Sequence, residues 1–319
     1  MKTTTLTALG ASLIGPMETF AEENQAHDLN NDFSPRLTAI ADDFDIHFLA
    51  IGDWGRNGEY DQNRLGKQMG LWAKNNPTEF VISAGDNFYP KGVISEFDPL
   101  WHYSFEDIYT AHSLHCDWYP VLGNHDYESP DPESQLRYSK ISRRWNMPAF
   151  YYSKEMTLKD NSKVLFVFMD TDPFLFESKK DYCATQLKWL ENTFKNASPG
   201  VKWKIVIGHH PYYTVGPRIT HFDTLTMRAV LPKIFEENKV DIYLSGHDHS
   251  LQHLKPQGFT HQFISGAGSE LTAISEGIPY TRFAASENGF MYFRIKSDKI
   301  NVKAVNVEGN VLYEGEVAR

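Results

Sequence analysis

From residue 45 onward, short apolar runs alternate with polar, turn-rich stretches and with segments whose apolar residues recur at helical spacing. The runs at 46–51, 80–83, 118–122, 203–207 and 240–244 read as buried strands, each short and closed by a glycine or polar turn. Between the first two, Leu65, Met69 and Trp72 share one face of a predicted helix over 61–75, with Pro77 beyond its end. Residues 97–109 form an aromatic segment expected to be helical, and further helices are predicted at 186–194 and 227–238. A strand pair is expected at 150–154 and 163–169, around the turn-like Asp160-Asn161. Strand-like runs with glycine-rich links, among them 290–295 and 311–313, occupy 263–317. Repeated strand–helix–strand alternation is the pattern of a parallel-rich α/β sheet. No repeat, low-complexity tract or linker divides residues 45–317, so one domain is expected there.

The chemistry lies just beyond the strands. Gly52-Asp53-Trp54-Gly55, Gly85-Asp86-Asn87-Phe88-Tyr89, Gly123-Asn124-His125-Asp126, Gly208-His209-His210-Pro211 and Gly246-His247-Asp248-His249 each stand at a predicted strand exit. Open α/β sheets place ligands there. Alone, Asp53 reads as a turn residue, Tyr89 as a core aromatic and His247-x-His249 as a solvated loop. Together they read as one metal site.

Asp, His, Asn and Tyr without clustered cysteines favour metals of intermediate to hard character. A bridging carboxylate lets two cations sit roughly 3.5–4 Å apart, the separation used in two-metal hydrolysis. A phenolate from Tyr89 favours a trivalent ion, iron, while Asn124 and the imidazoles suit a divalent neighbour. With Asp53, Asp86, Tyr89 and one hydroxide counted against such a pair, a single net positive charge is left to hold a phosphate ester. His125 would then give a proton to the leaving alkoxide. His210 is expected to pack behind His209, and His102, His112, His115, His253 and His261 fit no ligand position.

Composition narrows the partners. The chain has 319 residues, 41% of them hydrophobic, enough for a sizeable core. A formal charge of −10 argues against nucleic acid or an anionic membrane surface as partner, so attraction for an anionic substrate must be local to the site. Cys116 and Cys183 leave open one bridge or two free thiols. Residues 1–21 combine Lys2, an apolar run over 6–14 and an exit at Ala21, the features of a secretory signal. Export, to the outside or a periplasm, is therefore expected, with 22–44 as a mobile leader. No run approaches the roughly 20 apolar residues of a spanning helix, so no membrane insertion is expected.

The blocks holding Asp53, Asp86 with Tyr89, Asn124-His125, Val206-x-x-His209 and His247-x-His249 resemble the signature blocks of the purple acid phosphatases, over roughly 46–268. The likeness is to the small, single-domain, tartrate-resistant type, which residues 138–146 resemble as well; no β-domain precedes the first motif. It implies an α/β metallophosphoesterase fold, a four-layer α/β/β/α sandwich of two mixed sheets. It further implies Asp53, Tyr89 and His249 on Fe(III), and Asn124, His209 and His247 on a divalent iron, zinc or manganese ion. Asp86 would bridge the two, and His125 would assist the leaving group. A second outer histidine of the family is best matched by His221. The implied activity is hydrolysis of small phosphate monoesters by a metal-bound hydroxide at acid pH, in a monomer. The loop over 172–182 is shorter than in the mammalian enzymes, so control by proteolysis is not expected, and Cys183 lacks the partner of their disulfide. A phosphodiesterase or nucleotidase could use the same metal core. A module that only binds metal or phosphate would need no proton donor, and His125 speaks against it.

Overall fold

The structure is a computed structural model and describes residues 43–319; the expected signal, and the expected leader up to residue 42, lie outside the described residues. The strands β1 (Ile46–Ile51), β2 (Phe80–Ser83) and β3 (Asp117–Pro120) lie parallel and side by side. An antiparallel pair comes next, β4 (Tyr152–Thr157) and β5 (Lys163–Phe168), turning through Asn161 at φ 66°. After it stand β6 (Val201–Ile207), β7 (Ile242–Ser245), β8 (Leu251–Leu254), β9 (His261–Ser265) and β10 (Thr281–Ala285). The chain closes with an antiparallel meander, β11 (Gly289–Ile295), β12 (Lys299–Asn306) and β13 (Val311–Ala318). Two sheets result, ordered β13-β12-β11-β1-β2-β3 and β10-β8-β9-β7-β6-β5-β4. Both mix parallel and antiparallel neighbours, as the resemblance implied.

The helices are α1 (Gln62–Asn75), α2 (Asn124–Tyr127), α3 (Ser134–Tyr138), α4 (Lys180–Lys195) and α5 (Phe222–Asn238). Strand periodicity explains the layers. Along β5, Val164, Phe166 and Phe168 join the core between the sheets, while Leu165 and Val167 face Leu190, Phe194, Met227 and Leu231 of α4 and α5. Phe48 of β1 stacks on Phe293 of β11 and meets Phe166 edge-on, across the gap between the sheets. On the other side of β11, Phe290 and Tyr292 meet Trp72 of α1. Helix, sheet, sheet and helix thus stack in that order. Truncating Phe48 would cost about 3–5 kcal/mol, because the close-packed gap cannot collapse around the void.

Three local expectations are refined. The aromatic segment at 97–109 holds only one wide turn, Trp101–Glu106. Its Trp101, Phe105 and Tyr109 are buried against Trp54, Phe88, Trp118 and Trp145, so tertiary packing rather than helix regularity places them. The first strand of the 150–169 pair begins at Tyr152, two residues later than expected. β8 was not anticipated, because Leu251-Gln252-His253-Leu254 mixes apolar and polar residues, yet all four are buried between β9 and β10. Cys116 and Cys183 are both free thiols. No helix among the described residues is long and apolar enough to cross a membrane.

Candidate metal centre

The five motifs all emerge at C-terminal strand ends. Asp53 comes after β1, Asp86 after β2, Asn124 after β3, His209 after β6 and His247 after β7, so both sheets feed one edge. Asp53, Asp86 and His247 adopt left-handed backbone, at φ 60°, 51° and 71°. Such conformations are costly for non-glycine residues and persist only where the surroundings over-determine them. Here they do. The Asp53 N–H donates to Gly85 O at 3.0 Å, the Tyr89 N–H to Gly55 O at 2.8 Å, and the His247 N–H to Asp53 Oδ2 at 2.9 Å. Gly85 itself sits at φ 91°, and a Cβ there would lie 2.6 Å from His209 Nδ1. Below the loops, Trp54 is fully buried and donates from Nε1 to Ser83 Oγ at 2.8 Å.

Asp126 fastens two of the loops together. Its carboxylate accepts N–H groups of Gly123 at 2.9 Å, Asn87 at 3.0 Å and Phe88 at 3.2 Å, and the Gln135 amide at 2.7 Å. The loop after β2 and the loop after β3 are thereby held in fixed register.

The side chains so placed converge. Tyr89 Oη lies 2.9 Å from Asp86 Oδ2, 3.3 Å from Asp53 Oδ1 and 3.2 Å from His249 Nε2. His209 Nε2 lies 3.5 Å from Asp86 Oδ2, 3.2 Å from Asn124 Oδ1 and 3.2 Å from His247 Nδ1. Asp86 Oδ2 belongs to both sets. All seven sequence-predicted ligands therefore share one cluster, buried except for the partly exposed Asn124, in two groups joined by one carboxylate. Among the described residues, no Lys or Arg nitrogen forms an ion pair with Asp53 or Asp86.

The electrostatics result from that crowding. Burial pushes the Tyr89 phenol well above its ordinary value, and the Asp86 and Asp53 carboxylates push it further. Burial works against ionised Asp86, but His209, His125 and His247 outweigh it and hold the carboxyl below its usual range. Burial likewise opposes a charged His209, yet Asp86 and Asp53 raise its imidazole to about 9. The carboxylates thus draw positive charge toward themselves from whatever group can carry it. Donors of this hardness, aimed at one another from two groups, fit a pair of cations, whose charge would replace the imidazole protons and reverse the push on Tyr89.

The outer histidines are placed differently. His125 donates from Nδ1 to Pro90 O at 2.7 Å, and its ring stands 4.4 Å from that of Tyr89, partly exposed. That bond fixes the ring and directs Nε2 away from the backbone. His221 stands immediately before α5 and is half exposed; its Nδ1 lies 2.9 Å from Asp223 Oδ1. Asp223 Oδ2 in turn takes His247 Nε2 at 2.7 Å, so His221 reaches the cluster through one shared carboxylate. The ionised form of Asp223 is favoured: burial opposes it, and the bond to His247 more than compensates.

His210 is buried, as expected. Thr171 Oγ1 accepts the N–H groups of both His209 and His210 at 3.2 Å, so its own proton goes to His210 Nδ1 at 2.9 Å. Sequence reading missed Asp223, Asp126 and Thr171. Only Asp126 left a signal, as the acid three residues after Gly123 at the start of a helix.

The calcineurin-like phosphoesterase family profile matches residues 46–251, the span that contains every one of these side chains. Purple acid phosphatase 17 of Arabidopsis thaliana is 34% identical over 310 residues, covering 89% of this chain and 88% of that protein. The chain belongs to the purple acid phosphatase family. Tartrate-resistant acid phosphatase type 5 of Oryctolagus cuniculus is 30% identical over 297 residues, covering 84% of this chain and 90% of that protein. Among solved structures, GAP50, the anchor in the inner membrane complex of Plasmodium, superposes with a TM-score of 0.76 at 23% identity, covering 86% of this chain and 89% of that one. This last likeness is one of fold. The family relation, the buried His and Asp donors and the two mixed sheets agree with one another.

Proposed function

We propose that this protein is an acid phosphatase that hydrolyses phosphate monoesters at an Fe(III)–divalent metal centre. The observation that carries the reading is Tyr89 Oη, set within 3.3 Å of Asp53, Asp86 and His249 in a buried pocket of anionic oxygens. In this reading Asp53, Tyr89 and His249 hold the iron, Asn124, His209 and His247 hold a divalent iron, zinc or manganese ion, and Asp86 spans both. Bound there, the pair would supply the positive charge that fixes a phosphate ester and the activated water that attacks it.

The chain's own residues do the rest. Asp126 and the Gly85 turn keep the two ligand loops in register, so the donors need not reorganise when the substrate arrives. Asp223 holds the His247 ring and fixes which nitrogen faces the centre. His125, tied at Nδ1 to Pro90 O, presents Nε2 to the leaving group and gives up a proton as the ester bond breaks. His221, at the rim, is the second outer histidine. Residues 1–21 act as the export signal.

Colour tests the reading directly. Iron-loaded protein should be purple from phenolate-to-iron charge transfer, and Tyr89→Phe should lose the band while keeping its fold by circular dichroism. A full band in that variant would remove Tyr89 from the ligand set.

A further inference from the structure

Arg56 reaches into the ligand cluster, yet its guanidinium does not go to a carboxylate there. Its central carbon lies 3.7 Å from the centre of the Tyr89 ring, with the Tyr60 ring at 5.1 Å. Nη2 pairs with Glu270 at 2.8 Å; Nε is buried and has no hydrogen-bond partner. The side chain is only 18% exposed. A guanidinium has given up most of its water for one glutamate and two aromatic rings, Tyr89 much the nearer, an expensive position unless that ring repays it.

A neutral phenol would repay it poorly. A cation over a ring is attracted to the π face, and the attraction grows when the ring carries negative charge. We infer that Arg56 is a positioning residue for Tyr89, stacked on its ring so that the oxygen is held toward the metal centre and its electron donation is damped. The inference rests on Tyr89 being an iron ligand, as proposed above. Glu270 anchors the other end of the guanidinium and so keeps the stack in place. Arg56 touches neither Asp53 nor Asp86 among the described ion pairs, so its influence is exerted through the ring.

The position of the visible band reads this out separately from activity. A cation beside the ring lowers the energy of the donor electrons, so charge transfer to iron needs more energy. In iron-loaded Arg56→Met, which keeps length and removes charge, the band should move to longer wavelength by on the order of 10 nm, with iron content unchanged. Arg56→Lys, charged but not planar, should fall between the two. Glu270→Gln, which loosens the anchor, should broaden the band without removing it. A band unmoved in Arg56→Met would overturn the inference. Loss of iron from both Arg56 variants would overturn it too, because Arg56 would then be holding the site together rather than tuning one ligand. Persistence of the band in Tyr89→Phe would instead overturn the phenolate assignment on which the inference stands.

Discussion

Asp86 and Asp170 are both buried carboxylates at the exit of a strand, and the protein treats them in opposite ways. Asp86 is surrounded by three imidazoles and is held ionised. Asp170 takes the hydroxyls of Tyr127 at 2.6 Å and Tyr182 at 2.7 Å on one oxygen, while its other oxygen has no partner. Burial therefore pushes Asp170 up to about 7, against the help of both tyrosines, and Asp172 adds to the rise. Equal burial gives unequal charge. What decides is how much positive charge the neighbours supply: three imidazoles around Asp86 outweigh its burial, whereas Lys179 and two hydroxyls do not outweigh the burial of Asp170. The metal cluster is built to be charged, and the knot around Asp170 keeps its proton through the acid range.

The largest test of that contrast is His125. His125→Ala should lose about 10²–10⁴-fold on an alkyl ester such as glycerol phosphate, with metal content unchanged. An activated aryl phosphate, whose phenol leaves unaided, should lose far less. Equal losses on the two esters would mean that His125 only positions the phosphate, and His221 would become the donor to test.

Asp223 comes next. Asp223→Asn keeps the shape but weakens the bond to His247 Nε2, and should lower affinity for the divalent ion by about 10–100-fold in a chelator competition. The Tyr89 band should persist. If divalent affinity holds and the band is lost instead, the assignment of His247 to the divalent side is wrong.

The smallest effect on the metal cluster belongs to the neutral region. Asp170 is raised in the folded state to about 7, from about 3.9 in the unfolded chain, so the fold binds the extra proton. Its contribution is fully present below about pH 4 and is lost as pH rises through about 7. Asp170→Asn should therefore flatten the fall in melting temperature between about pH 5 and pH 7.5, by the equivalent of roughly 2 kcal/mol. Activity at the metal cluster should hardly change. A variant whose melting temperature falls as steeply as the wild type over that range would mean Asp170 is ionised after all.

The cluster was legible in the sequence because each ligand motif begins within a few residues of a strand end, with a glycine that makes the turn. Local pattern alone carries that information. Asp223 was not legible, since its partner His247 lies 24 residues on and only the packing of α5 against the sheet brings them together. Arg56 was hidden for a related reason: nothing in Gly55-Arg56-Asn57 tells that the side chain folds back over Tyr89. The layers were readable from alternation, as in β5. β8 was not, because its Gln252 and His253 are buried polar residues that find partners in Thr214, Ser250, His261 and Tyr313. Sequence patterns report the faces of elements, and long-range polar pairings escape them.

The pairing of β1 with β11 has a bearing on how the protein is made. β1 is an interior strand of its sheet, with β2 on one side and β11 on the other, and Ile46 is matched to Ile295. A nascent chain delivers β1 long before β11. Until β11 has been released, the strand that leads into Asp53 has one open edge, and the backbone N–H of His247 that locks the Asp53 carboxylate follows it by 194 residues. Contacts this distant along the chain make folding slow. The pocket at the strand ends can therefore close only after β11 and the His247 loop have joined β1.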